Sequence, residues 1–252
     1  MKITILGCGS SFGVPSLARG WGECDPKNPK NQRTRSSILA QQGETAVLFD
    51  TSPELRTQLL HAGNPKIDAL VYTHAHFDHM AGANDLLDCM IAQQRVLPVF
   101  LSAETNRYFK DGLNYLFQRS TGTPEFDCHV IVPYKSFSIN EINVLPILQY
   151  HGNTRSLGFR MGDFAYSTDV GDMDKEGFAA LAGIKIWVLG VLTTEPDQKK
   201  HVNVEKALQW IDAVKPERAY FTHMGSHMDY DALCRTLPPH IRPVFDGMEI
   251  EV

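Results

Sequence analysis

The segment T-H-A-H-F-D-H at residues 73 to 79 constrains this chain more than any other part of its sequence. It places four potential metal ligands, His74, His76, Asp78 and His79, within six positions. Imidazole nitrogens and carboxylate oxygens both bind zinc and similar divalent ions well. A polar turn rich in histidine would explain the residue types, but not this density of ligands in a chain with 10 histidines among 252 residues. The segment therefore predicts a metal site.

The sequence on either side of the motif predicts a strand followed by a helix. Residues 67 to 73 are apolar enough for a buried strand, and residues 80 to 93 have helical composition. The apolar positions with core-facing spacing in this helix are Leu86, Leu87, Met90 and Ile91. Alternate side chains of an extended segment share a side, so His74 and His76 are expected to bind one ion together. The last two ligands of the motif lie beyond the bend and are expected to face a second ion.

Three further apolar segments end at a residue that can bind a metal. They are I-N-V-L-P-I-L-Q-Y before His151, D-F-A-Y-S-T before Asp169 and R-A-Y-F-T before His223. In open α/β sheets, ligand sites lie outside the carboxyl ends of the strands, and sandwich folds gather loops at one rim in the same way. The four strand ends together predict a single site to which distant parts of the chain contribute.

The motif at residues 74 to 79 resembles the H-x-H-x-D-H signature of the metallo-β-lactamase superfamily, and the resemblance covers nearly the whole chain. It implies an α/β fold of four layers, an αββα sandwich of two mixed β-sheets flanked by helices, as one domain over residues 1 to 252. It also implies two divalent metal ions per chain, zinc or, as the alternative, manganese. By position, the resemblance assigns His74, His76 and His151 to the first ion, Asp78, His79 and His223 to the second, and Asp169 as the bridge.

Several other segments resemble one branch of this superfamily, the phosphodiesterases related to the phosphoribosyl cyclic phosphate phosphodiesterase of bacterial phosphonate breakdown. They are G-C-G-S-S-F-G-V-P at residues 7 to 15, C-D-P-K-N-P-K-N-Q-R-T-R-S-S at 24 to 37, H-V-N-V-E-K-A-L at 201 to 208, F-T-H-M at 221 to 224 and D-G-M-E-I at 246 to 250. The first of them is not a dinucleotide-binding fingerprint, because Val-Pro follows its last glycine instead of a helix. The resemblance implies a phosphodiesterase in which a metal-bridging hydroxide attacks a small substrate, either a cyclic or a linear phosphodiester or a cyclic nucleotide.

Two residues are candidates for catalysis. Asp78 can accept a hydrogen bond from the nucleophile as well as bind a metal. His201 precedes a helix that we expect to begin after the N-cap Asn203 and to run through Trp210 to about Val214. A lone loop histidine is more often solvated surface, but the resemblance places His201 beside the phosphate or the leaving group, which it would protonate.

The early loop departs from the pattern of that branch. Its members commonly hold a structural zinc with a C-x-C-x-x-C cluster and a downstream histidine, whereas the loop S-L-A-R-G-W-G-E-C offers only Cys24. His227 is the candidate for the downstream ligand, although its spacing from His223 is one residue too long. Two ligands cannot complete a tetrahedral site, so we expect no structural zinc and expect Trp21 to pack in its place.

Charge and composition bear on the partners of the chain. The net charge of −5 and the lack of a long basic insertion argue against nucleic acid, although an RNA-processing nuclease of the same superfamily is the main alternative. The N-terminal segment does not resemble a signal peptide, no apolar run is long enough to span a membrane, and the five scattered cysteines favour reduced thiols in the cytoplasm. Aromatic residues between positions 102 and 128 predict core or a homodimer face. A small phosphodiester or nucleotide is therefore the expected partner.

Other classes of protein fit the residues less well. The thioester- and lactam-hydrolase branch is disfavoured because lactam hydrolases typically have cysteine where Asp169 stands and are exported. The di-iron oxygen or nitric oxide reductases need a glutamate among the ligands and an attached flavin domain. A purely structural metal site would not need seven ligands with a bridging carboxylate.

Overall fold

The computed structural model describes residues 1 to 114, 126 to 195 and 199 to 252, and within them two mixed β-sheets lie face to face. Phe49 of the first sheet contacts Phe159 and Tyr166 of the second, with ring centroids 5.3 and 6.4 Å apart. All three aromatic side chains are buried in the core between the sheets. The sandwich predicted from the sequence is confirmed.

The first sheet contains the amino-terminal strands and the last strand of the chain. Its strands are β1 (Lys2–Gly7), β2 (Ser37–Gln42), β3 (Thr45–Phe49), β4 (Ala69–Val71), β5 (Leu97–Leu101), β6 (Phe126–Val130) and β15 (Glu249–Glu251). Their order across the sheet is β15-β1-β2-β3-β4-β5-β6. Pairing is antiparallel from β15 to β3 and parallel from β3 to β6.

The second sheet contains the strands from the second half of the chain. They are β7 (Phe137–Ile139), β8 (Ile142–His151), β9 (Thr154–Met161), β10 (Phe164–Ser167), β11 (Ile186–Thr193), β12 (Val202–Asn203), β13 (Arg218–Thr222) and β14 (Ile241–Pro243). The order is β14-β13-β11-β10-β9-β8-β7, with β12 paired to β11. Strands β10, β11, β13 and β14 are parallel, so their carboxyl ends lie at one edge.

Helices cover the outer faces of both sheets. They are α1 (Leu55–His61), α2 (Phe77–Met80), α3 (Leu86–Gln93), α4 (Ala103–Gly112), α5 (Lys175–Ala180), α6 (Val204–Val214) and α7 (Tyr230–Thr236), with 3-10 turns at Pro29–Asn31 and Ala81–Asp85. The first four helices bury apolar side chains, such as Leu55 and Phe109, against the first sheet. On the second sheet, Trp210 of α6 packs against Phe178 of α5 and stacks near Trp187 of β11.

The described helices are all too short or too polar to span a lipid bilayer. Of the aromatic residues expected in the core or at a dimer face, Phe109 and Phe126 are buried and Tyr108 is exposed. Tyr115 and Phe117 lie outside the described residues.

The secondary structure around the histidine motif differs in part from the prediction. The strand predicted over residues 67 to 73 is only Ala69–Val71, and the helix predicted over residues 80 to 93 is broken by the 3-10 turn Ala81–Asp85. Within this turn, the backbone of Gly82 lies against the backbone oxygen of Ser52, where a Cβ atom would not fit. Within α3, Leu86, Leu87 and Met90 are buried, as predicted, whereas Ile91 is exposed. Helix α6, in contrast, begins and ends as predicted, with the Asn203 side chain accepting a hydrogen bond from the amide of Lys206.

Candidate metal centre

The structure brings all seven predicted ligands together at one rim of the sandwich. His74 and His76 follow β4, Asp78 and His79 lie in α2, His151 ends β8, Asp169 follows β10 and His223 follows β13. The ligand atoms form overlapping groups in which all atoms lie within 4.8 Å of one another. One group is His74, His76, His151 and Asp169, a second is Asp78, His79 and His223, and a third is Asp169, His201 and His223. The first two groups contain the two sets of histidine and aspartate residues that the resemblance assigns to different ions, with Asp169 in the first group, and the assignment to ions stays a prediction.

Asp169 lies between the two groups. Its Oδ1 atom is 3.7 Å from His151 Nε2, and its Oδ2 atom is 3.0 Å from His79 Nε2. On the side of the first group, His74 Nε2 lies 2.8 Å from His76 Nδ1. Each carboxylate oxygen of Asp169 thus faces a different set of ligands, as a bridging group would.

The donor atoms of this cluster fit divalent cations. Among the described residues, four buried polar atoms at the rim have no hydrogen-bond partner: Asp78 Oδ2, His79 Nε2, Asp169 Oδ1 and His223 Nε2. Buried polar atoms are nearly always hydrogen-bonded, so four unpartnered ones in one place indicate a missing partner. Imidazole nitrogen and carboxylate oxygen are the ligands that zinc and manganese accept.

In four of the histidines, the Nδ1 atom contacts a residue that is not one of the seven ligands. His79 Nδ1 is 2.7 Å from Asp50 Oδ2, His151 Nδ1 is 2.7 Å from the Lys200 carbonyl oxygen, His74 Nδ1 is 2.9 Å from Thr73 Oγ1 and His223 Nδ1 is 3.1 Å from Ser36 Oγ. Such contacts fix the orientation of a metal-binding imidazole and raise its basicity. In His74, His79 and His151 the Nε2 atom faces the cluster, whereas His223 Nδ1 also lies 3.3 Å from Asp169 Oδ2.

Asp50 is a functional residue that the sequence reasoning missed. Besides contacting His79, it accepts hydrogen bonds of 2.8 Å from both the amide and the hydroxyl of Thr73. It follows the apolar strand T-A-V-L-F, so the same pattern of a polar residue at a strand end could have revealed it. Ser36 and the Lys200 carbonyl carry no such signal, because only the fold places them beside a ligand.

The pKa values of the cluster reflect its burial and its unbalanced charges. Burial lowers the pKa of His79, but the carboxylates of Asp169, Asp50 and Asp78 outweigh burial and raise it well above its usual range. Burial raises the pKa of Asp169, but His223 and His79 hold it well below its ordinary value. Burial also lowers the pKa of His74, which favours the neutral imidazole that binds metals.

Three residues of the site have a left-handed backbone conformation. The φ angles are 62° at Asp50, 48° at Asp169 and 54° at His223. Non-glycine residues adopt this conformation rarely, and such strain concentrates at functional sites, where the surrounding structure enforces it. This backbone conformation directs the three side chains, which follow strand ends, into the cluster.

His201 lies beside the cluster and not on an open surface. Its side chain is 14% exposed, and its Nδ1 atom is 3.9 Å from Asp169 Oδ1. Its ring centroid lies 4.6 Å from that of His151 and 5.1 Å from that of His223. Burial and the nearby His223 lower the pKa of His201 to about 3. An anionic group bound next to this ring would raise its pKa again.

A cavity of about 900 Å³ opens beside the cluster, and Asp78 and His201 form part of its wall. The loop after β1, the start of α2, the end of β11 and residues 225 to 227 supply most of the remaining wall. Its volume lies at the upper end of the range, roughly 300–1,000 Å³, that is common for small-molecule sites. The ligand atoms therefore face a space that admits a substrate.

The side chain of Arg33 links the early loop to the segment that follows His223 through hydrogen bonds. This buried side chain donates hydrogen bonds to the carbonyl oxygens of Met228, at 2.6 Å, and Gly225, at 3.3 Å. It also contacts Asn31 Oδ1, at 3.2 Å, and the sulfur of Cys24, at 3.8 Å. We expected Trp21 to fill this place, but the side chain buried between the two segments is that of Arg33. We refer to Arg33 and these four partners as the Arg33 clamp.

A family described as the β-lactamase superfamily domain matches residues 45 to 224. The chain belongs to the β-lactamase superfamily. Together with the cluster of histidine and aspartate ligands, this membership makes the domain a metal-dependent hydrolase.

Individual relatives place the chain within the superfamily. A solved structure described as a new diphosphatase from the PhnP family has a TM-score of 0.92 and 29% sequence identity, and the match covers 100% of this chain and 97% of that one. The predicted resemblance is thereby confirmed, and the chain is similar to the PhnP family. The short form of human tRNase Z has a TM-score of 0.75 at 16% identity over 100% of this chain and 99% of that one, which shows the shared fold.

One curated protein is also similar. An octanoyltransferase of Porphyromonas gingivalis is 30% identical over 253 residues, which cover 99% of this chain. The chain spans about half the length of that relative, 51%.

Proposed function

We propose that this domain is a metal-dependent phosphoesterase, and more narrowly a phosphodiesterase that hydrolyses a small cyclic or linear phosphodiester. The observation that carries the proposal is the pair of ligand groups joined at Asp169 beside a cavity of about 900 Å³. The likeness to a structure described as a PhnP-family diphosphatase supports phosphorus as the reacting centre. Phosphoribosyl cyclic phosphate, cyclic nucleotides and diphosphates are the compounds to compare first.

Two divalent ions per chain, zinc or manganese, would be held by the seven ligands. His74, His76 and His151 would hold the first, Asp78, His79 and His223 the second, and Asp169 would contact both. Divalent ions at such a site lower the pKa of bound water and neutralise charge on a phosphoryl oxygen. The unpartnered atoms of Asp78, His79, Asp169 and His223 support this assignment.

Two side chains would act on the reacting groups. Asp78 lines the cavity and has one carboxylate oxygen without a hydrogen-bond partner in the described ranges, so it can orient the attacking water. His201 also lines the cavity and is neutral at physiological pH, because burial and His223 lower its pKa to about 3. When a phosphate anion binds beside it, the imidazole gains a proton more easily and can pass it to the leaving oxygen.

The substrate is proposed to be a small molecule, bound by a single domain over residues 1 to 252. The concave cavity and the net charge of −5 support a small ligand over nucleic acid. Pairing of β1 with β15 joins the two ends of the chain in one sheet, which supports a single domain. Cytoplasmic location and a homodimer stay predictions.

The decisive experiment is a substrate panel with zinc- and manganese-loaded protein. The panel contains cyclic and linear phosphodiesters, diphosphates, a structured RNA, and an octanoyl thioester prompted by the name of the longer relative. We expect turnover of at least one small phosphodiester and none after chelation. Cleavage of RNA alone would assign the nuclease alternative, and thioester hydrolysis alone would exclude phosphoester chemistry.

Metal analysis of protein purified without chelator tests the cofactor assignment. We expect close to two divalent ions per chain. A further zinc that survives mild chelation and disappears when Cys24 is replaced by Ser would show that the early loop retains a structural site.

A further inference from the structure

Three large apolar side chains are exposed to solvent around the mouth of the cavity. Phe12 is 77% exposed, Phe77 is 78% exposed and Leu17 is fully exposed. They are the most exposed large apolar side chains in the described part of the chain, where no other exceeds 53%. All three line the same cavity as Asp78 and His201. Scattered apolar residues on a surface are ordinary, but a group of them in one cavity marks a binding site.

Phe77 fixes where this apolar surface lies relative to the reacting centre. It stands between the ligands His76 and Asp78 in the first turn of α2. Phe77 therefore follows one ligand and precedes another in the chain, and it lines the same cavity as Asp78. Phe12 and Leu17, in the loop after β1, line this cavity as well.

Charged groups also line this cavity. Arg19 and Arg35 contribute two cations, and Glu195 contributes one carboxylate. Arg35 is held by an ion pair of 2.9 Å with Glu54. Its Nε atom is buried and has no hydrogen-bond partner among the described residues. With Asp78, the wall carries two carboxylates and two guanidinium groups, so the cavity combines an apolar surface with charged groups of both signs, of which the arginines can pair with a phosphate.

We propose that the substrate carries a large apolar group next to its phosphorus, and that Phe12, Leu17 and Phe77 bind this group. The inference rests on the proposed phosphoesterase function and narrows its substrate class. A bare sugar phosphate presents hydroxyl groups to these side chains and leaves their apolar surface in water. A flat aromatic ring, as in a nucleobase, and an alkyl chain both offer the apolar surface that the three side chains can cover.

Direct binding tests this inference without relying on turnover. The probes are methylphosphonate, phenylphosphonate and octylphosphonate, and binding to the zinc-loaded protein is measured by calorimetry. We expect the phenyl or the octyl compound to bind at least about 10-fold more tightly than the methyl compound, because apolar surface leaves water. The tighter of the two identifies a ring or a chain as the natural group. Equal affinity of all three compounds overturns the inference.

Variants test whether the three side chains cause the preference for phenylphosphonate or octylphosphonate over methylphosphonate. Leu17→Ser and Phe12→Ser should each lower the preference over methylphosphonate by about 3- to 10-fold, while the affinity for methylphosphonate stays the same. Phe77→Ser should have a similar effect, with its zinc content measured because it lies beside two ligands. Leu60→Ser in α1 is the matched control, since Leu60 is 53% exposed but lies outside the cavity.

The outcomes separate this inference from the proposed function. A preference that survives in Leu17→Ser, Phe12→Ser and Phe77→Ser overturns the assignment of the apolar surface, whatever the enzyme hydrolyses. A preference that is lost in these variants supports it. If no phosphodiester in the panel is hydrolysed, the proposed function fails, and the binding measurements still decide whether these side chains hold an apolar group.

Discussion

The metal centre and the Arg33 clamp both join distant parts of the chain. The clamp does so with the guanidinium group of one of its own residues, whereas the metal centre would do so with bound metal ions. In the clamp, the guanidinium of Arg33 lies among acceptors, and the carbonyl oxygens of Gly225 and Met228 receive its hydrogen bonds. At the metal centre, three buried carboxylates form ion pairs only with histidines within the described residues. Four donor or acceptor atoms there have no hydrogen-bond partner in the described part of the chain.

This difference distinguishes a group of residues that stabilises the fold from a group that can carry out chemistry. The cation of the clamp belongs to the chain and satisfies the carbonyl oxygens around it, although Arg33 Nε itself has no hydrogen-bond partner among the described residues. Its nitrogen atoms are donors, so the clamp offers a metal ion no ligand from Arg33. A cluster of ligands without its own cation remains unsatisfied until ions bind, and bound ions can then accept a substrate. The comparison predicts that disrupting the metal centre removes activity, whereas disrupting the clamp removes stability.

The largest effect is expected from Asp169→Ala. The change removes the carboxylate that faces both ligand groups, so zinc content and turnover should fall together. The loss in turnover should exceed the roughly 10²- to 10⁴-fold that removal of one acid or base costs. Asp163→Ala is the control, because Asp163 pairs with Lys185 on the surface at the start of the same strand. Full zinc content and normal turnover of Asp169→Ala would contradict a bridging role.

The next largest effect is expected from His201→Ala. Both metals should be retained, and turnover should fall by about 10²- to 10⁴-fold if the imidazole protonates the leaving group. A nitrophenyl diester, whose leaving group needs little protonation, should lose less than an alkyl or ribosyl diester. His129→Ala, at an exposed histidine, is the control and should change neither rate.

The result for His201→Ala has three informative alternatives. Equal losses for both diesters would indicate that His201 positions the phosphate. Loss of zinc would make His201 a ligand, in line with its place in the group with Asp169 and His223. Unchanged turnover of both diesters would remove His201 from the mechanism.

A smaller effect is expected from Asp50→Asn. Asparagine tolerates the positive φ of 62° at this position, so the backbone should persist while the charge beside His79 is lost. Zinc affinity should fall by about 10- to 100-fold, as for other partners of metal-binding histidines. Competition with a chromophoric chelator measures the change, and Asp127→Asn at an exposed ion pair is the control. An unchanged affinity would show that Asp50 supports only the fold.

Much of the metal centre could be predicted from the sequence because its ligands occupy positions with a local signal. Four of them are adjacent in one motif, and His151, Asp169 and His223 each end an apolar strand. The supporting contacts from Ser36 and from the Lys200 carbonyl could not be predicted in this way, because they depend on how loops meet in the fold.

The Arg33 clamp shows the limit of sequence reasoning most clearly. Arg33 lies among Lys27, Lys30 and Arg35, a basic run that is typical of solvated surface. Its burial follows from carbonyl groups almost 200 residues away in the chain, which no local pattern reveals. The break in the helix after His79 has a similar origin, since Gly82 meets the backbone of Ser52.

The smallest effect on turnover, but a clear effect on stability, is expected from Arg33→Met. The change removes the Arg33 donor from the buried Met228 carbonyl oxygen and from the Gly225 carbonyl oxygen, which keeps its hydrogen bond from the amide of Met228. This loss should lower the free energy of unfolding by about 2–3 kcal/mol. Arg160→Met is the matched control. Arg160 also donates to carbonyl oxygens, those of Gly162, Ala180 and Ala182, but it is partly exposed, so its loss should cost less than about 1 kcal/mol.

Chemical unfolding of Arg33→Met with and without bound zinc tests the comparison itself. The clamp contains no metal ligand, so its loss should lower the stability of zinc-loaded and zinc-free protein equally, within about 0.5 kcal/mol. Turnover per bound zinc should then change by less than about 3-fold. A much larger loss in the zinc-loaded protein would mean that the clamp positions His223 through the intervening residue Met224. In that case Arg33 would belong to the metal centre, because the stability that the clamp contributes would depend on bound zinc.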